Sequence, residues 1–189
     1  MSDEFLSQFS TVEQRRDRVG DLMSQILQKK KSLQGIRNPI PIKLEIGCGH
    51  GHWLTDYAQQ NKTSTFVGVD LITKRIEKAQ AKAAKRFLEN LFFLKVEANE
   101  FIEYLPSDFI IDQIYIMFPD PWPKNRHFKR RLIQHDFLQL LAKVSCQESL
   151  LFFRSDHLPY VEWTREKIQQ SENWEIVDQQ LPFEHSSYF

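Results

Sequence analysis

Residues 43–51 read KLEIGCGHG, an apolar run that holds one acid and then breaks into three glycines at alternate positions. Leu44 and Ile46 read as a buried strand, and a chain without Cβ atoms at Gly47, Gly49 and Gly51 can turn sharply at its end and approach a ligand closely. Outward from this stretch, short apolar segments alternate with helical ones. A helix near His52 to Gln59 is followed by the strand TFVGVD, a helix near Thr73 to Leu88 and the strand NLFFLKVEA. A short helix from Asn99 to Tyr104, the strand DQIYIMF, a helix from about Arg130 to Val144 and the strand SLLFFRSD come next. This βαβ rhythm predicts an α/β fold, a Rossmann-like doubly wound, mostly parallel sheet with five parallel strands. A helix around Tyr160 to Gln170 and a sixth strand over Trp174 to Gln180 complete the expected elements.

On the other side of KLEIGCGHG lies a turn-rich connector, GIRNPIP, preceded by Val19, Leu22, Met23, Ile26 and Leu27 at helical spacing. An amphipathic helix between about Thr11 and Leu33 is expected, either packed on the domain or gripping a partner. The predicted division is a helical extension over residues 1–38 and one α/β domain over 39–189. A length of 189 residues suits one such domain with a sizeable core. Apolar content of 41% and aromatic content of 13% suit a globular fold, and no segment nears the roughly 18 unbroken apolar residues of a membrane span. The start, MSDEFLSQF, bears acids and no apolar stretch, which predicts a cytoplasmic protein. Cys48 and Cys146 lack metal-type spacing, and no metal is expected. Basic and acidic side chains both number 25, so a nucleic-acid partner would have to meet a local basic patch.

The chemistry-bearing residues cluster at expected strand ends. G-x-G-x-G after an acidic strand residue suits a ligand without phosphates, whereas a dinucleotide fingerprint spaces its glycines to seat a pyrophosphate, so the loop favours S-adenosyl-L-methionine over NAD. Glu45 lies inside an apolar strand, where a carboxylate is costly unless a cation or backbone donors meet it; the alternative is a strand-end acid facing water. Asp70 ends the second strand, about 20 residues beyond the glycine loop, where an acid can take both hydroxyls of a ribose. Glu97 lies at the end of the third strand and can accept from an adenine amino group directly or through its neighbour Asn99; the alternative is that either residue caps the next helix.

The fourth strand runs into FPDPWPKNRHFKRRL, residues 118–132. Pro119, Pro121 and Pro123 can neither continue a strand nor donate backbone hydrogen bonds, so they force a rigid loop with Asp120 clamped between two of them. Trp122 offers a stacking surface for a flat substrate. Lys124, Arg126, Lys129, Arg130 and Arg131 then place five cations within eight residues, enough to hold several phosphates; the alternative is a solvated face at a helix start, where cations are disfavoured. Asp156 ends the fifth strand and reaches the same edge as Asp120. His50, His52, His127 and His135 lack a clustered partner set and are assigned no role.

LEIGCGHG, GVD, FPDPWPKNRHFKRRL and the SD before a helix together resemble the tRNA (guanine-N7-)-methyltransferase family over roughly Lys43 to Glu184. The resemblance implies a class I methyltransferase sheet, S-adenosyl-L-methionine as cofactor and tRNA as partner. It also implies cofactor roles for Glu45, Asp70, Glu97 and Asp120, and substrate contacts at Lys124, Asp156 and Glu184. With the glycine loop, Asn99 and Arg126 added from the residue-level reading, the expected reaction is methyl transfer to guanine N7, with Asp120 as the central catalytic residue. Two departures stand out. The family's late T-x-[YF]-E pattern appears as LPFE, with Leu181 in place of the threonine, and the chain ends at SSYF with no room for the closing antiparallel strand, so the reading frame reads as shortened. Lower stability or an altered sheet edge is therefore expected. Competing readings are a methyltransferase for a small heteroaromatic acceptor and a catalytically silent RNA-binding relative.

Overall fold

The computed structural model describes residues 11–31 and 38–184. Its elements in chain order are α1 (Val12–Lys31), β1 (Ile40–Ile46), α2 (His52–Gln60), β2 (Thr65–Asp70), α3 (Thr73–Lys85), β3 (Leu91–Lys95), α4 (Ala98–Glu103), β4 (Phe109–Met117), a 3-10 helix (Asn125–Arg130), α5 (His135–Ala142), β5 (Ser145–Arg154) and α6 (Leu158–Gln169). The five strands pair in the order β3-β2-β1-β4-β5, and every pairing is parallel. All six residues of β2 are buried because helices cover both faces of the sheet. One face packs Trp53, Leu54, Tyr57, Ile76 and Ala79 of α2 and α3 against Phe66 and Phe93. The other packs Phe101, Phe137 and Tyr160 of α4, α5 and α6 against the strands.

The amphipathic segment at the amino end packs on the domain. Val19, Met23 and Ile26 are fully buried in the second of these cores. Thr11 and Gln14 exchange backbone-to-side-chain hydrogen bonds at 2.9 and 3.2 Å, a capping box that starts α1. Arg15 then ties α1 to α4 through both carboxylate oxygens of Glu100, at 2.7 and 2.9 Å.

Two expected elements differ. The helix anticipated from about Arg130 starts at His135, because Arg131 takes an extended backbone (φ −61°, ψ 137°) that carries its side chain inward. The strand anticipated over Trp174 to Gln180 does not form. Among the described residues β5 pairs with β4 alone, and without a ladder partner the segment stays irregular, with residues 175–180 exposed. The segment is anchored at its start, where the Trp174 indole N–H donates to the Leu138 carbonyl at 3.0 Å on α5. Among the described residues β5 therefore forms one edge of the sheet.

Candidate active site

The strand order reverses between β1 and β4, and in an open α/β sheet the crevice beyond the strand ends at such a reversal is where a ligand sits. The glycine loop leaves β1 on one side of that crevice and the proline loop leaves β4 on the other. Gly47, Gly49 and Gly51 all have positive φ, but for different reasons. A Cβ on Gly51 would meet Phe93 Cζ at 2.5 Å, so this glycine serves packing, whereas a Cβ on Gly47 or Gly49 would enter open space. Only the first two leave room for a ligand.

Asp70 ties the loop to β2. Its Oδ2 accepts from the Gly49 amide at 3.0 Å and its Oδ1 from the Ile72 amide at 2.8 Å, with Arg75 3.7 Å from Oδ2. A carboxylate has about four acceptor positions, so each oxygen can still take a hydroxyl. Glu45, 4% exposed, lies beneath this loop, and its Oε2 has no hydrogen-bond partner. Burial, with the Asp70 charge as a lesser cause, pushes its carboxyl up to about 8. A buried acid left in this state calls for a cationic or hydrogen-bonding ligand group. The acceptor set thus fits S-adenosyl-L-methionine: an ammonium for Glu45, hydroxyls for Asp70, and open space over Gly47 and Gly49.

Glu97 caps α4, accepting from the Glu100 amide at 3.2 Å, and Asn99 donates to Glu97 Oε1 at 3.2 Å. Both also line an open cleft of about 420 Å³ together with Lys129 and Arg130, so the third strand's end and the basic run share one opening.

In the proline loop, Phe118 (φ 52°) and Trp122 (φ 45°) both adopt left-handed backbone, a costly conformation for aromatic residues. Asp120 stands between them, exposed to solvent. The Phe118 amide donates to the Arg154 carbonyl at 2.8 Å, which brings the loop to the end of β5, where Asp156 is also exposed. Lys124 and Arg126 are exposed as well, and Arg130 lies 4.9 Å over the Trp122 ring, covering one face of the expected stacking surface.

The family described as "Putative methyltransferase" matches residues 39–187. A tRNA (guanine-N(7)-)-methyltransferase of Lachnoclostridium phytofermentans is 32% identical over 80% of this chain and 70% of its own length. The Mycoplasma genitalium protein of the same name is 34% identical over 77% and 70%. The chain belongs to this family of tRNA (guanine-N7-)-methyltransferases. Against a Ureaplasma parvum member, 38% identical, the match spans 64% of this chain and 54% of the relative. Two solved structures share the fold: TrmN from Thermus thermophilus (20% identity, 72% of this chain and 39% of that one, TM-score 0.53) and precorrin-6y C5,15-methyltransferase from Geobacter metallireducens (12%, 77% and 67%, TM-score 0.54).

Three features of this methyltransferase were not legible in its sequence. Arg131 is 2% exposed and so is not a surface cation like its neighbours. The late segment folds back over α2: Phe183 stacks on Tyr57 with ring centroids 5.2 Å apart, and the Trp53 indole N–H donates to the Phe183 carbonyl at 3.1 Å. Leu181 packs on the same aromatic cluster, so an apolar contact stands where the family pattern has a hydroxyl. Third, Arg154 lies 3.6 Å from Glu184, which draws that acid to the end of β5 near Asp156. Each rests on residues far apart in the chain, and no local spacing announces them.

Proposed function

We propose that this protein transfers a methyl group from S-adenosyl-L-methionine to N7 of a guanine in tRNA. The observation that carries the reading is the pairing, across the reversal of strand order, of a glycine loop floored by the unsatisfied Glu45 carboxylate with the strained proline loop that holds Asp120. Glu45, Gly47, Gly49 and Asp70 hold the cofactor, with Gly51 shaping the loop and Glu97 and Asn99 at the adenine end. When bound, the cofactor supplies a methyl group made electrophilic by its sulfonium.

Guanine N7 presents an in-plane lone pair, so no base has to remove a proton; alignment and exclusion of water dominate. Positive charge grows on the guanine ring as the bond forms. Asp120, held on a stiff loop, stabilises that charge, and Asp156 receives donors on the guanine edge. Glu184, brought to the same edge, completes the acceptor side. Lys124 and Arg126, with Lys129 and Arg130 beside them, neutralise tRNA phosphates.

Incubating the protein with labelled cofactor and unmodified tRNA transcripts, then digesting the RNA and identifying nucleosides by mass spectrometry, tests this directly. 7-Methylguanosine is the expected product. Cofactor binding without any methylated nucleoside would point to a different acceptor, and tRNA binding without cofactor binding to a silent RNA-binding protein.

A further inference from the structure

Arg131 has an unusual environment for a guanidinium. It is buried, and among the described residues no ion pair includes it. Its charge faces aromatic rings instead, with Cζ 3.8 Å from the Phe128 centroid, 4.9 Å from Tyr160 and 5.2 Å from Trp163. Its Nε donates to the Pro121 carbonyl at 2.9 Å and its Nη1 to the Pro159 carbonyl at 3.5 Å, while Nη2 has no partner. A buried cation with one unsatisfied nitrogen is a poor stabiliser, and a well-packed apolar residue would generally do better.

What Arg131 holds explains its presence. Pro121 follows Asp120 directly and lies inside the arc from Phe118 to Trp122, whose two ends are in left-handed backbone. Such a conformation persists only where surrounding contacts over-determine it. Prolines cannot donate, so the arc offers carbonyl oxygens to be held, and a planar guanidinium can grip two carbonyls while stacking on rings. Arg131 is itself tightly seated. The Tyr160 hydroxyl accepts from the Leu132 amide at 3.0 Å and the Ile133 amide at 3.4 Å; Trp163 donates to the Ile133 carbonyl at 2.9 Å; Gln134 donates to the Phe128 and Arg131 carbonyls at 2.8 and 3.1 Å. The result is a rigid link from α6 through Arg131 to the carbonyl next to Asp120.

We infer that Arg131 is a positioning residue that locks the Pro119–Pro123 loop against α6 and so sets the orientation of Asp120, rather than a contact for RNA phosphate. The role of Asp120 rests on the function proposed above; the lock itself does not.

The test uses the full chain with 5-fluorotryptophan incorporated, the Trp122 resonance being assigned with W122F. In R131K the cation stays but cannot span both carbonyls. The Trp122 signal should shift or broaden while those of Trp53 and Trp174 hold. Turnover should fall about 10-fold or more, with the KM for tRNA within about twofold. D120N/R131K should be no slower than D120N, because one residue acts through the other. An unmoved Trp122 signal would overturn the proposal, as would losses that multiply in the double variant or a raised KM with unchanged turnover, which would mark a phosphate contact. If R131K does not fold, Y160F loosens the seat of Arg131 more gently and should give the same pattern at smaller amplitude; an unchanged Trp122 signal there would also overturn it. Should the wild-type protein methylate no guanine, the Trp122 signal alone decides the lock, so the two readings fail separately.

Discussion

The Trp53 indole N–H donates to the carbonyl oxygen of Phe183 across 3.1 Å, joining the first turn of α2 to the last described segment of the chain. Those residues are 130 positions apart, and Phe183 immediately precedes Glu184. Replacing Trp53 by Phe keeps most of the ring packing and removes this bond. The expected cost in stability is about 1 kcal/mol, the usual worth of one hydrogen bond. The larger effect falls on Glu184, so the KM for tRNA should rise several-fold with turnover less affected; a shifted Tm with unchanged KM would confine the bond to stability.

Asp120 faces solvent on the most strained loop of the site. Its change to Asn preserves shape and removes charge. If it stabilises charge growing on the guanine, turnover should fall by about 10² or more, while affinity for tRNA stays near wild type. Single-turnover rates at saturating tRNA make the measurement, and near-normal turnover would reject the role.

Glu45 gives a pH signature. Its folded carboxyl, pushed up to about 8, lies above its unfolded value of 4.5, so the folded protein binds the extra proton between those limits and stability falls as pH rises through that window. Below pH 4.5 the effect vanishes. Without cofactor, E45Q should therefore be more stable than wild type at pH 8, by at least about 1 kcal/mol, with the gap closing toward pH 5. Chemical denaturation at the two pH values reads this. E45Q should also bind the cofactor more weakly, and a pH-independent gap would contradict the assignment.

The three glycines of the loop should separate by function. Gly51→Ala drives a methyl into Phe93 and Ala79, and should cost about 1–3 kcal/mol or prevent folding. Gly49→Ala meets open space, so its stability cost should be smaller, limited to backbone strain at φ 55°. Its cofactor affinity should nevertheless drop, as isothermal titration would show. Equal stability losses at both positions would refute the distinction.

The basic run divides into surface cations and a buried one. Replacing Lys124 and Arg126 with Ala should weaken tRNA binding uniformly and reduce the slope of log affinity against log salt by about 1 to 2, since fewer counterions are released. Filter binding at several salt concentrations checks this; an unchanged slope would remove the patch from the interface.

Most strands and helices were legible because each repeats a local pattern: apolar runs bounded by turns, and residues at helical spacing on α1. The placement of the candidate acids was legible for a related reason. Asp70 ends a strand, Glu97, Asp120 and Asp156 closely follow one, and a parallel sheet collects such ends along one edge. The helix expected to start near Arg130 and the strand expected over Trp174 to Gln180 were misread because neither is settled locally. Arg131 leaves the helical path to enter an aromatic bed made largely by α6, and Trp174 finds its partner on α5.

By itself, then, the sequence determined the alternation of elements, the edge where the strand ends gather and the residue types placed there, all of which follow from periodicity and from the backbone limits of glycine and proline. Only the tertiary structure decided how those residues are held. Arg131 became a lock rather than a surface charge, Phe183 and Trp53 met across the chain, and Glu45 was left buried with an unsatisfied oxygen. The physical reason is that burial and long-range hydrogen bonding depend on which surfaces the fold brings together, and no spacing along the chain encodes that distance.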